Sequence, residues 1–201
     1  MNHCSKLVHL AKQDKPSTML SGSIISVFYD GLINFYFLRR TGKLFPILSS
    51  ASRHHLLFLI LSSPKGEERY KVRGEKALHK MEKWLAYSEW NFKNKQLLIE
   101  AEFHFSMNNH SMAATCYEAS IKAAQAHKFI QEEAVANELA GHFFLEVGQR
   151  EKSLSFFEQS IACYRTWGAF AIESRVEDLI EKEFGISRGI PSELTISLNT
   201  W

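Results

Sequence analysis

Two carboxylate–imidazole pairs, Glu100 with His104 and Glu138 with His142, stand four residues apart. On a helix that spacing puts both side chains on one face, as metal ligands sometimes are. Carboxylate-bridged sites in helical bundles use a three-residue step instead, and spacing alone places no third or fourth ligand beside either pair. Both are expected as surface or groove pairs, and no metal or cofactor is assigned. His54-His55 is a further imidazole cluster, but adjacent rings do not easily face one ion, and Ser and Leu surround them. Cys116 and Cys163 are the nucleophile candidates. They fall among Ala, Tyr and Ile with no helix N-terminus or basic cluster to lower their pKa, so inert packed thiols are expected.

Nucleotide chemistry has no support in the sequence. Gly42-Lys43 is followed by Leu44 rather than Ser or Thr, and the earlier glycine of a phosphate-binding loop is missing. Asp-Phe-Gly, His-Arg-Asp and a glycine-rich strand turn are all absent, so no kinase residue is assigned. The chain is expected to be no enzyme. The alternative is a helical-bundle enzyme, or a small-ligand or metal-binding protein, with Phe143, Phe144, Phe156 and Phe157 around the ligand; such phenylalanines are more often core. For partner binding the candidates are Glu138, His142 and Glu146, which recur at steps of four on one helix face opposite the Leu139 and Phe143 stripe. The stretch Lys65 to Lys83, with seven Lys or Arg against four Glu, offers a basic face, which is usually only solvated.

At 201 residues the chain can bury one sizeable core or stack five or six helices as an array, with little room for a second full-sized domain. Its 24 Lys plus Arg against 22 Asp plus Glu give no global field that would select nucleic acid or an anionic membrane. Three scattered cysteines, Cys4, Cys116 and Cys163, build no disulfide framework and fit a reducing, cytoplasmic location. The apolar stretch Met19 to Leu38 is interrupted by Gly22, Asp30, Gly31 and Asn34, so it reads as a buried helix rather than a membrane span. It also lacks the basic start and cleavage site of a signal peptide.

From about Asn94 apolar residues recur at helical spacing: Leu97, Leu98, Ala101 and Phe105, a break at Asn108-Asn109, then Ala113, Tyr117, Ile121 and Ala124. The plan returns with Ala136, Leu139, Ala140, Phe143 and Val147, a break at Gly148-Gln149, then Leu154, Phe157, Ile161 and Tyr164. Laying residues 101 to 128 over 141 to 168 aligns Phe103 with Phe143, Glu118 with Glu158, Ser120 with Ser160 and Ile121 with Ile161 at an offset of 40. A small, aromatic, small pattern (Ala113, Tyr117, Ser120; Ser153, Phe157, Ser160) predicts closely approaching helix pairs. A further helix from Ala169 to Glu183, ended by Gly185, would cap the stack. Upstream, Val27 to Leu38 and Lys71 to Trp90 are predicted as a first pair, separated by the Ser- and Leu-rich stretch Lys43 to Lys65; Gly31 to Gly66 contains no acidic residue. Pro191 to Trp201 alternates like a strand with no partner strand, so a loose tail is expected.

The runs Ala134 to Gly148 (AVANELAGHFFLEVG) and Ser160 to Ala169 (SIACYRTWGA) resemble the TPR-like helical region of large signalling proteins. Leu98 to Glu102, Tyr117 to Ile121, Phe28 to Leu32 and Arg69 to Ala77 add to the resemblance, which covers residues 24 to 42 and 66 to 184. In such proteins that region lies between a serine/threonine kinase with an AAA or STAND ATPase and a GAF-sensor histidine kinase. The resemblance implies an all-α fold of TPR-like antiparallel hairpins stacked as a short solenoid. It further implies a non-catalytic scaffold whose partners are proteins or neighbouring kinase, ATPase and sensor domains. The expected organisation is a flexible segment at 1-23, a helical repeat domain at 24-184 with an irregular insert at 43-65, and a C-terminal tail at 185-201. The insert departs from the family pattern and is expected to be an insertion or a translated intron, in a chain that reads as the helical segment of a longer protein or as a free-standing TPR-like protein.

Overall fold

The computed structural model describes residues 20–43 and 64–186. Among them are seven α-helices and no strand: α1 (Leu20–Lys43), α2 (Pro64–Leu85), α3 (Glu89–Ser106), α4 (His110–Ala126), α5 (Ile130–Glu146), α6 (Arg150–Trp167) and α7 (Phe170–Phe184). Packing is densest within three pairs, α1 with α2, α3 with α4 and α5 with α6. The pairs join through α2 against α3 and α4 against α5, while α1 also lies along α3 and α7 closes onto α6. No helix among the described residues is long and apolar enough to cross a membrane.

The four links between α3 and α7 are one device repeated. Asn108, Lys128, Gly148 and Gly168 each take a positive φ, between 58° and 84°. Their N–H groups donate to the carbonyls of Phe105, Gln125, Leu145 and Arg165, and the next residues donate back to His104, Ala124, Phe144 and Tyr164. This double closure satisfies carbonyls that the last helical turn would leave without partners. The residues completing it, Asn109, Phe129, Gln149 and Ala169, are also the N-caps of the following helices. Their carbonyls accept from Ala113, Glu133, Ser153 and Glu173. The turn residue advances from 108 to 128, 148 and 168, a step of 20, so a helix pair recurs every 40 residues, the offset found in the sequence.

Lys128 takes this left-handed conformation without glycine's freedom or asparagine's local hydrogen bonding (φ 58°). A β-carbon there costs roughly 1–2 kcal/mol. Lys128→Gly is expected to raise folding stability by about 1 kcal/mol, read as a higher urea midpoint at unchanged slope. A lower midpoint would contradict this reading of the turn.

The small, aromatic, small triplets form the contact within the second and third pairs. All six of Ala113, Tyr117, Ser120, Ser153, Phe157 and Ser160 are at most 1% exposed. The Ser120 hydroxyl donates to the Asn94 carbonyl at 2.7 Å and that of Ser153 to the Gly141 carbonyl at 2.8 Å, pinning second helix to first. A β-carbon on Gly141 would sit 2.7 Å from the Phe157 ring, so the absence of one lets that ring lie on the α5 backbone. Phe35 uses Gly74 in the same way between α1 and α2.

Some boundaries differ from expectation. The helix read as Lys71 to Trp90 is broken: α2 starts at Pro64 and stops at Leu85, and Trp90 belongs to α3. Ser88 adopts extended backbone as the α3 N-cap, and its hydroxyl accepts from the Asn91 side chain at 2.9 Å. Helix α1 extends beyond Val27 to Leu38 at both ends, taking in residues 20–23 and Lys43, and Pro64 and Lys65 open α2. The remainder of segment 1-23, of the insert 43-65 and of the tail 185-201, including Pro191 to Trp201 and His54-His55, lies outside the described residues.

Candidate functional site

Helices α1 and α5 both pack against α3, and these first helices of the three pairs carry a group of exposed apolar and charged side chains. Ile25, Tyr29, Ile33 and Tyr36 of α1 fall on one arc of the helix and stay 38–53% exposed. From α3, Lys95 reaches Glu132 of α5 at 2.8 Å and lies over the Phe129 ring. Partial burial, and after it the Glu132 charge of α5, raises the Tyr29 hydroxyl pKa above its ordinary value.

The same three helices are also tied by a buried ionic group. Arg39 of α1 donates to Glu102 of α3 at 2.8 Å, and both side chains are at most 6% exposed. The Tyr117 hydroxyl of α4 donates to the other Glu102 oxygen, and burial, then the Glu102 charge, drive the Tyr117 pKa well up. The Arg39 guanidinium stacks 4.0 Å from the Phe105 ring and points Nε at Glu146 of α5, 3.7 Å away. One arginine thus touches the first helices of all three pairs. Sequence reasoning missed it, because Arg39 and Glu102 are 63 residues apart and each reads alone as a surface charge.

Of the expected partner contacts, the structure joins Glu138 to His142 and places Glu146 in the Arg39 group. Glu138 is enclosed: its carboxylate accepts from Tyr164 of α6 at 2.7 Å and from Arg175 of α7 at 2.8 Å, with the His142 ring 3.8 Å away. His142 is half-exposed and meets the Phe157 ring edge-on. Glu146 is exposed at the C-terminal end of α5. Thus Glu138 ties α5 to α6 and α7, and His142 and Glu146 are the more open of the three.

Burial alone would raise the Glu138 pKa, but the groups around its carboxylate (His142, Arg175 and Tyr164) more than offset this and hold it at about 2, against 4.5 unperturbed. A carboxyl whose pKa falls on folding stabilises the fold above its unfolded value and loses that contribution as pH drops through its folded value. The stabilisation is about 3 kcal/mol at neutral pH, fading between pH 4.5 and about 2. Urea unfolding of the parent and of Glu138→Gln should differ by a gap that closes across this window. A gap constant down to the lower limit would contradict the assignment.

Both described thiols are buried. Burial, aided by Glu100, pushes Cys116 up to about 11, and burial, aided by Glu133, pushes Cys163 up to about 12, so neither supplies a thiolate nucleophile at neutral pH. The Glu100–His104 pair is not alone, as spacing had implied. Cys116 of α4 stands beside it, and the three potential ligand atoms lie within 4.8 Å of one another. Gln96, one turn earlier on α3, donates to the Glu100 carboxylate at 2.8 Å. The phenylalanines considered as a ligand pocket are packing: Phe143, Phe144 and Phe157 are buried, and Phe156 stacks on Phe144.

No protein-family model, curated protein or solved structure matches this chain.

Proposed function

We propose that the chain is a non-catalytic protein-interaction and coupling module, a short TPR-like stack of antiparallel hairpins that takes a protein partner along the α1–α3–α5 face. The observation that carries this reading is the exposed apolar arc on α1, the helix whose Arg39 reaches Glu146 of α5, while Lys95 of α3 pairs with Glu132 of α5. Stacked two-helix units form elongated surfaces of this kind, and a broad, mixed surface suits a polypeptide better than a small substrate. The 40-residue period is longer than the 34 residues of the standard tetratricopeptide unit, so the likeness is to a variant of that plan.

The resemblance of residues 134 to 148 and 160 to 169 to the helical region of kinase- and ATPase-linked sensor proteins names the partner class: an adjoining kinase, ATPase or sensor domain, in the cytoplasm. His142 and Glu146 are the proposed contacts on α5, with Glu138 holding that helix against α6 and α7. Arg39, shared by three helices, would transmit a displacement of α1 to α5.

The purified chain should show a helical circular dichroism spectrum and no ATP hydrolysis. A Tyr29→Ser/Ile33→Ser/Tyr36→Ser variant should keep the spectrum and lose at least about tenfold in affinity for the adjoining domains, since each residue is an exposed aromatic or aliphatic anchor. ATP turnover that stays with the chain through successive purification steps would overturn the reading, as would unchanged affinity of the triple variant.

A further inference from the structure

We propose that Glu100, His104 and Cys116 form a binding site for one divalent zinc ion, with a carboxylate oxygen, an imidazole nitrogen and a thiolate sulfur as ligands and water in the fourth position. Their ligand atoms already lie within 4.8 Å of one another across the α3–α4 contact. Ligands four apart on one helix share a face, and a third from the partner helix completes a three-residue set open on one side. Mixed sulfur, nitrogen and oxygen donors suit zinc, whereas magnesium and calcium take oxygen alone. The Gln96 side chain, itself buried, donates to the Glu100 carboxylate at 2.8 Å and fixes its orientation, as outer partners of metal ligands do. On binding, the Cys116 S–H bond breaks, the sulfur pair is donated to zinc and one proton leaves to solvent.

The 40-residue repeat supplies an internal comparison. Positions 104 and 116 correspond to Phe144 and Phe156, whose rings stack with centroids 5.1 Å apart and planes within 2°. Glu100 corresponds to Ala140. Where the third pair fills this place with apolar rings, the second pair fills it with three donors of the kinds zinc takes, so packing does not dictate them.

The test uses the full chain carrying Cys4→Ser and Cys163→Ser, which leaves Cys116 as the single thiol. Titration with cobalt(II) should saturate at one equivalent with a thiolate-to-cobalt charge-transfer band, and one equivalent of zinc should abolish the band. Cys116→Ser should remove it, and Gln96→Leu should weaken zinc binding about 10- to 100-fold. His104→Phe/Cys116→Phe, which copies the third pair, should stay helical and lose tight binding. Should that variant not fold, His104→Ala alone should still weaken binding at least about tenfold. The absence of a band in the parent, or zinc affinity unchanged by Cys116→Ser and His104→Ala, would overturn the site.

Discussion

Replacing Glu102 with leucine is expected to cost about 3–5 kcal/mol of folding stability, because it leaves Arg39 charged and buried with its main partner gone. The Tyr117 hydroxyl, which donates to the same carboxylate at a fully buried position, would be orphaned as well. Glu146 does not replace the lost partner, since it lies 3.7 Å from Nε and is 37% exposed. The double variant Arg39→Leu/Glu102→Leu should recover a large part of the loss, because removing both charges abolishes the desolvation penalty. Denaturant midpoints of the four proteins give the coupling. A cost below about 1 kcal/mol for Glu102→Leu would place the pair in water rather than in the core.

Phe143→Ala is expected to cost about 3–5 kcal/mol, the range for emptying a phenylalanine site in a close-packed core. The ring is 1% exposed and meets Phe105 edge-on at 4.9 Å, Tyr117 at 5.2 Å and Phe144 at 4.9 Å. It therefore joins the first helix of the third pair to both helices of the second. Its loss should also loosen the coupling between pairs, seen as a shallower unfolding transition, since stacked units stay cooperative only through their interfaces. Phe156→Ala is the control: that ring is only half-buried and stacks on Phe144 at the periphery, so it should cost clearly less. Equal costs at the two positions would remove Phe143 as the central contact.

What the sequence made legible follows from which interactions are local. The stripes through Leu98, Ala101 and Phe105 and through Ala113, Tyr117 and Ile121 are buried as their spacing required. The breaks at Asn108, Gly148, Gly168 and Gly185 carry residues that tolerate positive φ, so their chemistry announces the turn. Lys128 makes the same turn with no such signal, and α2 ends at Leu85 before Ala86 and Tyr87, which announce no break, so that only the N-cap Ser88 marks it. Charge pairing across helices was out of reach: Glu138 finds Tyr164 and Arg175 at separations of 26 and 37 residues. The same gap hid the third donor beside Glu100 and His104, since Cys116 arrives from another helix and only the register of α3 against α4 brings it there. Four-residue spacing identified Glu138 with His142 and Glu100 with His104, and packing supplied the rest.

The most direct test of the coupling-module reading is site-specific photocrosslinking inside the cell. A photoreactive phenylalanine at Ile33, on the exposed arc of α1, is compared with the same group at Lys122, exposed on the second helix of a pair. The account predicts a defined product from position 33, identified by mass spectrometry as a kinase, ATPase or sensor domain, and none from position 122. No product from position 33, or equal yields from the two positions, would contradict it.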